Sequence, residues 1–379
     1  MRSDVIGAKR VVVKVGSSLL IEPQSGTLRV EWLQSLISDV AELKKADTEV
    51  LLVSSGAIAL GRRALKLRSG ELRLEESQAA AAVGQVRLAQ AYVDALQAFG
   101  FAAAQILVTL EDSEDRRRYL NARETLRTLL LLGAIPVINE NDTVATAEIR
   151  FGDNDRLAAR IAGMMEADRL VLLSDIDGLY TANPQRDSSA THIAEVAAIT
   201  PEIEAMAEGP LSGTSRGGME SKIAAAKMAT STGAAVIIAN GHVMHPLKAL
   251  NGPAKRTLFV PSISPTAARK RWLAGGLSVK GFLTIDDGAE RALLSGKSLL
   301  PAGVVSVKGD FDRGDVVIVR NSAGAEMARG LVAYHAGEAR LLTGRRTVEI
   351  EGILGYRGRS EMIHRTDLVL TGVSKNGSE

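Results

Sequence analysis

The chain has 379 residues, of which 46% are hydrophobic and 24% charged, as expected of a protein that buries a large core in two or three domains. Its 46 Lys and Arg residues nearly balance 44 Asp and Glu, so the net charge of +2 does not predict a surface for nucleic acid or anionic membranes. The absence of cysteine excludes disulfides, thiolate metal sites and cysteine nucleophiles.

The N-terminal segment MRSDVIGAKR lacks the apolar core of a signal peptide and runs directly into a predicted strand. No apolar stretch approaches the ~20 residues that a membrane helix needs. We therefore expect a cytoplasmic protein that does not span a membrane.

Residues 9–15, KRVVVKV, predict a buried strand that is interrupted by Lys14. A lysine in such a run either extends to solvent or faces an anion. The small residues Gly16, Ser17 and Ser18 follow, and the free N–H groups of such a turn suit a phosphate. The G-x-x-x-x-G-K-[ST] pattern is absent, so this turn is not a P-loop.

The next unit repeats this order, with a helix predicted at 30–45 and a strand at 50–53 that ends in the turn Ser-Ser-Gly-Ala. An ordinary serine-capped turn and an anion site at a helix start explain this turn equally well. A long helix follows at 75–99, and we expect it to break or kink near Gly84. A strand at 102–108 and a helix at 111–132 complete this part.

The stretch 135–157 has the densest polar character of the chain. An apolar strand at 135–138 is followed by Asn-Glu-Asn-Asp and, after a short loop, by Gly-Asp-Asn-Asp at a helix start. Turn residues and helix caps explain one such cluster, but two clusters favour a ligand site. Ligands of α/β proteins bind at the carboxyl ends of strands, where these residues are expected. Glu140 or Asp142 suits an ammonium group, and an amide such as that of Asn154 suits a carboxylate.

The strand predicted at 169–173 ends in Ser174 and Asp175. The glycine-rich segment 212–222, SGTSRGGMESK, opens another helix and places Lys222 in its first turn. A cation there opposes the helix dipole, and a bound anion would correct this, although Gly and Ser also occur in ordinary caps. With further strands at 234–239 and 257–260, the alternation predicts a mostly parallel sheet with helices on both faces.

The pattern of predicted strands and helices changes after residue 262. We predict a catalytic domain at 1–262, a linker at 263–276, a small β-rich barrel or sandwich at 277–371 and a disordered tail at 372–379. The last domain has short strands predicted at 277–282, 304–307, 316–319, 330–333 and 348–350, and one helix near 289–295.

The sequence offers the groups that phosphoryl transfer requires: three small-residue turns, two lysines and a carboxylate–amide loop. In that reaction, cations and backbone amides neutralise the charge of the moving phosphoryl group. The segments KVGSS, SSGAIALG, AAVGQ, LNARETL, PVINENDTVATAEIRFGDNDRL, LLSDIDGLYTANP and GGMESK occur in this order. Together they resemble the glutamate 5-kinase family, whose catalytic domain has the three-layer αβα amino-acid kinase fold. Residues 277–370 resemble the PUA domain. The pairing of NENDTVATAEI with GDND is the specific part, because related aspartate, acetylglutamate, carbamate and uridylate kinases lack it.

The resemblance implies ATP-dependent phosphorylation of the γ-carboxylate of L-glutamate, the first step of proline biosynthesis. Lys14 and Lys222 would stabilise the transferring phosphoryl group, and Asp155 would organise the lysines or help to place Mg²⁺. The residues implied to bind glutamate are Ser55, Asp142 and Asn154. The residues implied to bind ATP are Lys14, Ser174, Asp175, Arg216, Gly217, Gly218, Met219, Glu220, Ser221 and Lys222.

No metal ligand is assigned beyond this. Many family members read GTGGM where this chain has Ser215-Arg216-Gly217-Gly218-Met219, so Arg216 either adds a phosphate contact or faces solvent.

The resemblance also implies inhibition by proline, assembly into a homo-oligomer (a dimer or tetramer) and functional coupling to glutamyl-phosphate reductase. Two alternatives stay open: a related kinase with another carboxylate acceptor, and an RNA-binding or regulatory protein that acts through the PUA module. Arg340, Arg345 and Arg346 form a local basic patch or an ordinary solvated surface. Basic and acidic residues are nearly equal in number in this module, which disfavours RNA.

Overall fold

The chain forms two units, Met1–Thr266 and Ala267–Glu379. The computed structural model describes residues 5, 7–68, 70–144, 154–207, 218–275 and 278–371. The stretch 263–276, for which we predicted a linker, contains the helix Pro265–Gly275, and the division between the units falls within it.

The first unit is built on an eight-stranded sheet with the order β3-β4-β2-β1-β5-β9-β10-β8. Strands β9 and β10 pair antiparallel and the other neighbours pair parallel, which confirms the predicted mostly parallel sheet. Strands β6 and β7 form a separate hairpin-like pair. The strands are β1 Arg10–Val15, β2 Glu49–Ser54, β3 Ala103–Val108, β4 Ile135–Glu140, β5 Arg169–Ser174, β6 Leu179–Tyr180, β7 His192–Ile193, β8 Glu195–Val196, β9 Ala235–Asn240 and β10 Arg256–Phe259.

Helices cover both faces of this sheet, as the apolar spacing along helices such as residues 30–45 requires. None of the described helices is long and apolar enough to cross a membrane. The helices are α1 Ser17–Leu20, α2 Val30–Lys45, α3 Ala57–Ala64, α4 Leu74–Gln97, α5 Leu110–Glu114, α6 Arg116–Leu131, α7 Asn154–Met164, α8 Pro201–Ala205, α9 Met219–Ser231, α10 Pro246–Ala249 and α11 Pro265–Gly275.

The alternation of side chains along β1 decides which face of the sheet receives Lys14. Val11, Val13 and Val15 enter the core shared with α2 and α4. Val12 enters the opposite core, which is shared with α7 and α9. Successive side chains of a strand point to opposite faces, so Lys14 lies on the same face as Val12. The strand thus directs a lysine toward α7 and α9.

Helix α4 runs unbroken through Gly84, so the expected break near this residue is wrong. Glycine is needed there for packing. A Cβ added at Gly84 would lie 1.7 Å from the carbonyl oxygen of Ala57, and one added at Gly61 would lie 1.7 Å from that of Ala80. Helices α3 and α4 therefore cross in backbone contact, which only residues without a side chain allow.

The second unit contains a five-stranded sheet with the order β12-β11-β13-β14-β15 around its own apolar core. Its strands are β11 Val279–Ile285, β12 Val304–Gly309, β13 Val316–Arg320, β14 Glu326–Leu331 and β15 Leu368–Leu370. Its helices are α12 Asp287–Leu294, α13 Ala336–Leu342 and α14 Ile350–Leu354, with 3-10 turns at Pro301–Gly303, Thr347–Glu349 and Arg365–Asp367.

The strand predicted at 348–350 is wrong, because this segment forms the 3-10 turn and the start of α14. The Glu349 side chain accepts a hydrogen bond from the backbone N–H of Arg346 at 2.7 Å, which closes the turn. Val348 is 87% exposed, so its side chain does not pack against the apolar core as that of a buried strand residue would.

We expect Gly84→Ala to lower the free energy of unfolding of the first unit by at least about 2 kcal/mol, because the backbone of α3 cannot move away without opening the core. Gly252→Ala is the matched control, since a Cβ there would make an ordinary contact of 3.5 Å with the Ala249 carbonyl oxygen. Urea denaturation of both variants measures the difference. Equal stability of the two variants would contradict the packing assigned to Gly84.

Candidate active site

One buried carboxylate lies between two lysines that are far apart in the sequence. The Asp155 Oδ1 atom is 2.6 Å from Lys14 Nζ, and Asp155 Oδ2 is 3.2 Å from Lys222 Nζ. Asp155, Lys222 and Lys14 are 1%, 4% and 8% exposed, so the cluster is almost wholly withdrawn from bulk water. Ser221 donates to Asp155 Oδ2 at 3.3 Å.

Three elements bring these groups together. Lys14 extends from β1, on the face that α7 and α9 cover. Asp155 lies in the first turn of α7, where the helix dipole favours a carboxylate. Lys222 lies in the first turn of α9, where the dipole disfavours a cation, and the Asp155 carboxylate supplies the compensating charge. Asp155 is therefore the partner of Lys222, and it contacts both lysines, as the family resemblance implied.

The two lysines control the ionisation of Asp155. Burial alone would raise its pKa, but the positive charges of Lys14 and Lys222 and their hydrogen bonds outweigh burial and hold the pKa below its ordinary value. The carboxylate is therefore ionised at neutral pH. Two ammonium groups and one carboxylate carry one net positive charge, which makes this cluster a favourable place for an additional anion.

A second group of polar side chains contacts Asn154, the residue before Asp155 at the start of α7. Asn154 Nδ2 donates to Ser55 Oγ at 2.7 Å, to Asn139 Oδ1 at 3.0 Å and to the Ser54 carbonyl oxygen at 3.2 Å. Ser55 follows β2, and Asn139 lies near the carboxyl end of β4, the neighbouring strand. The predicted binding residues Ser55 and Asn154 are thus in direct contact.

The hydrogen bonds leave two polar groups of this cluster with unused hydrogen-bonding capacity among the described residues. Asn154 Oδ1 is buried and accepts no hydrogen bond from the residues that the structure describes. The Ser55 hydroxyl oxygen accepts from Asn154, which leaves its hydrogen available as a donor. Asn154 therefore offers an acceptor, which suits an ammonium better than the carboxylate we had assigned to it. Ser55 offers a donor, which suits a carboxylate.

Asp142 follows β4 in the loop that begins at Asn141. Partial burial raises the pKa of its carboxyl group to about 6. Asp142 makes no hydrogen bond with Ser55 or Asn154 within the described part of the chain, so any cooperation among the three depends on a ligand.

The remaining predicted nucleotide residues lie at two places. Ser174 ends β5, the strand beside β1, and donates to the exposed Asp175 carboxylate at 2.8 Å. Gly218 precedes α9, and its first residues are Met219, Glu220, Ser221 and Lys222. Of these, Ser221 and Lys222 reach Asp155. Arg216 and Gly217 lie outside the described residues, as does the segment 145–153.

Comparison with known proteins identifies the family. The amino acid kinase family model matches residues 9–240, and the PUA domain model matches residues 281–354. The chain is 57% identical to the glutamate 5-kinase of Sinorhizobium fredii over 98% of this chain and 94% of that protein. It is 55% identical to the glutamate 5-kinase of Paramagnetospirillum magneticum over 98% of this chain and 100% of that protein. This chain belongs to the glutamate 5-kinase family, within the amino acid kinase family.

Among solved structures, the carbamate kinase of Giardia lamblia bound to AMP-PNP is 18% identical, with a TM-score of 0.49 over 68% of this chain and 100% of that one. The family matches confirm the predicted resemblance to the glutamate 5-kinase family and the PUA domain. The amino-acid kinase fold predicted from the sequence is confirmed with them.

Four residues that join the site of this glutamate 5-kinase family member had been assigned no role from the sequence. They are Ser54, Gln85, Tyr92 and Asn139. Asn139 lay within the polar cluster after the predicted strand, which is a usable signal. Gln85 and Tyr92 lie on a long helix whose side-chain partners cannot be assigned from its own sequence.

We expect Asp155→Asn to lower the free energy of unfolding at pH 7 by about 3 kcal/mol, since two buried ammonium groups would lose their counter-charge. The folded-state pKa of Asp155 is depressed, so its contribution is fully present above the unfolded value of about 3.9 and is lost as the pH falls through the folded value. The difference from wild type should therefore shrink below about pH 4. Urea denaturation across this pH range is the measurement.

Asp94→Asn is the control for this experiment, because Asp94 is an exposed carboxylate that accepts a hydrogen bond from Gln90 on α4. It should leave stability within about 0.5 kcal/mol of wild type at every pH. An Asp155→Asn variant as stable as Asp94→Asn would refute the charge assignment.

Proposed function

We propose that this chain transfers the γ-phosphoryl group of ATP to the γ-carboxylate of L-glutamate, forming L-glutamyl 5-phosphate as the first step of proline biosynthesis. The observation that carries the proposal is that Asn154 and Asp155 are consecutive residues. One binds the polar groups at the ends of β2 and β4, and the other binds both lysines. We call the polar groups around Asn154 the acceptor side of the site and the lysine cluster around Asp155 its phosphate side. The two sides thus meet within one turn of α7, which is the proximity that group transfer requires.

In this reaction an oxygen of the glutamate γ-carboxylate forms a bond to the γ-phosphorus of ATP. The bond from that phosphorus to the β–γ bridging oxygen breaks, and ADP leaves with its electron pair. A glutamate carboxylate has a pKa of about 4.3 and is ionised at neutral pH, so no general base is needed. Lys14 and Lys222 offset the charge on the phosphoryl oxygens, and Asp155 holds both ammonium groups in place.

Glutamate is held by Ser55, Asn154 and Asp142. The Ser55 hydroxyl donates to a carboxylate of the substrate, whereas Asn154 Oδ1 and the ionised Asp142 accept from its ammonium group. The nucleotide is bound by Ser174, Asp175 and the segment 216–222.

Mg²⁺ is proposed as the companion of ATP. Both oxygens of Asp155 are bound by ammonium groups, so the protein residues fit a cation that is held mainly by the nucleotide phosphates. When bound, Mg²⁺ would neutralise part of the charge of the phosphates.

Proline, whose ammonium and carboxylate resemble those of glutamate, is proposed to inhibit by competing for the same residues. A homo-oligomer, a cytoplasmic location and coupling to glutamyl-phosphate reductase, which would consume the labile acyl phosphate, complete the proposal.

Binding of RNA to the PUA domain is the less favoured alternative. Arg345 lies 3.9 Å from the Glu349 carboxylate, and Glu349 also accepts from the Arg346 backbone. Arg340 donates to the carbonyl oxygen of Gly309. An acidic residue therefore accompanies the basic patch, and this weakens its attraction for phosphate.

The deciding assay follows ATP-dependent ADP release with glutamate, aspartate and N-acetylglutamate as acceptors, and traps the acyl phosphate with hydroxylamine. Glutamate should be the preferred acceptor, and proline should raise its apparent KM without changing the maximal rate. Preference for another acceptor would overturn the assignment of the substrate.

We expect Lys14→Met and Lys222→Met each to lower kcat by at least about 100-fold, because each removes a charge that stabilises the transferring group. Methionine keeps most of the side-chain volume. Lys227→Met is the matched control, since Lys227 is an exposed lysine of α9 that pairs with Glu204. Steady-state ADP release measures all three, and wild-type rates in the first two variants would contradict the lysine roles.

The raised pKa of Asp142 predicts a pH dependence of glutamate binding. Below about 6 the carboxyl group is protonated and cannot pair with an ammonium, so KM for glutamate should fall as the pH rises through this value. The substrate carboxylates do not titrate in this range. Asp142→Asn should raise KM and remove the pH step, whereas KM for ATP should not change. A step of the same size in Asp142→Asn would assign the titration to another group.

A further inference from the structure

A chain of side-chain amides connects helix α4 with the proposed acceptor site. Asn139 Nδ2 donates to Gln85 Oε1 at 2.8 Å, and Asn139 Oδ1 accepts from Asn154 Nδ2 at 3.0 Å. Asn139 and Asn154 are 3% and 4% exposed, so water competes little for these bonds. Asn154 therefore contacts Asn139, which contacts Gln85.

The orientation of the three side-chain amides, those of Asn154, Asn139 and Gln85, follows from one backbone group. The Ser54 carbonyl oxygen can only accept, so the atom of Asn154 that faces it at 3.2 Å must be the nitrogen. This nitrogen also faces Asn139, which must present its oxygen. The nitrogen of Asn139 then faces Gln85, which must in turn present Oε1.

The outcome of this order is that one oxygen of Asn154 keeps its capacity to accept a hydrogen bond. With its nitrogen bound by three protein acceptors, Asn154 directs Oδ1 away from them, and this buried oxygen has no donor within the described ranges of the chain. An amide turned the other way would present a donor and would repel an ammonium group. The orientation of these side-chain amides therefore decides whether the site favours an ammonium group.

We propose that Gln85 is a positioning residue that sets the specificity of the acceptor site for an ammonium-bearing substrate, acting through Asn139 on Asn154. Gln85 supplies the acceptor that keeps the Asn139 nitrogen turned away from Asn154. Without it, only the hydrogen bond from Asn154 opposes rotation of the Asn139 amide, and this rotation sets nitrogen against nitrogen at Asn154. This inference rests on the proposed function, because it takes the ammonium of glutamate as the group that Asn154 Oδ1 binds.

The packing of α4 explains how Gln85 is held at the required distance. Gln85 follows Gly84, whose Cα lies against the Ala57 carbonyl oxygen of α3. Helix α3 begins two residues after Ser55, so the same backbone contact fixes α4 relative to the serine turn. Tyr92, two turns further along α4, donates to Ser54 Oγ at 3.0 Å and anchors the same turn.

The test compares Gln85→Met with Gln85→Glu and Gln90→Met by steady-state kinetics. Methionine keeps the length of the side chain but provides no comparable acceptor, so KM for glutamate should rise about 5–10-fold, with kcat and KM for ATP within about twofold of wild type. Glutamate at position 85 retains acceptor oxygens and should restore KM. Gln90 is exposed on the same helix, so Gln90→Met should behave as wild type. A Gln85→Met enzyme with unchanged KM would overturn the proposal.

Glutarate, a dicarboxylate without an ammonium group, separates specificity from general damage. Its inhibition constant against glutamate should be the same in Gln85→Met and wild type, because it makes no contact of the kind that Asn154 Oδ1 provides. A parallel loss of glutamate and glutarate binding would show a merely structural role and would reject the proposal.

A double-mutant cycle tests the route through Asn139. Asn139→Asp has no nitrogen to donate to Gln85, so adding Gln85→Met to it should leave KM for glutamate unchanged. A further rise in KM when Gln85→Met is added to Asn139→Asp would overturn the relay, and this comparison needs no measurement on Gln85→Met alone. Failure of the wild-type enzyme to phosphorylate glutamate would instead reject the proposed function, so the two failures are distinguishable.

Discussion

The Asp155 carboxylate, held between two lysines, is the interaction on which the rest of the site depends. Lys14 comes from the first strand and Lys222 from a helix more than half the chain later, and both are almost fully buried. Burying two like charges is tolerable only when an opposite charge lies between them. The fold therefore has to deliver the start of α7 to the carboxyl end of β1, and the alternation of side chains along β1 decides on which face of the sheet this occurs.

The same arrangement explains how two anions can be brought together. A carboxylate must approach a triphosphate, and the repulsion between them opposes the reaction. A cluster with one net positive charge, placed in a region of low dielectric, offsets this repulsion more strongly than exposed lysines would. Because the lysines are already fixed by Asp155, little reorganisation is required when the phosphoryl group moves.

The sequence predicted those parts of the site that have a local signature. A lysine within a β-branched strand marked Lys14, and a polar cluster at a helix start marked Asn154 and Asp155. The ion pairs among them join residues 141 and 67 positions apart, which no local pattern reveals (155 − 14 and 222 − 155). Gly84 was misjudged for a related reason: propensity treats glycine as a helix breaker, whereas here the approach of another helix requires it.

Different interactions hold the two sides of the proposed site, so a substitution affects each side in a different way. The phosphate side is fixed by charges whose strength depends on the ionisation of Asp155. The acceptor side is fixed by neutral hydrogen bonds whose direction matters more than their strength, since reversing one amide exchanges a donor for an acceptor. Preserving side-chain volume is therefore not sufficient in either part of the site. The lysine cluster also requires the charges to be kept, and the amide group also requires each donor and acceptor to be kept in place. Asn154 and Asp155 lie at the junction, so the first turn of α7 couples recognition of the acceptor to the position of the lysines that act on the phosphate.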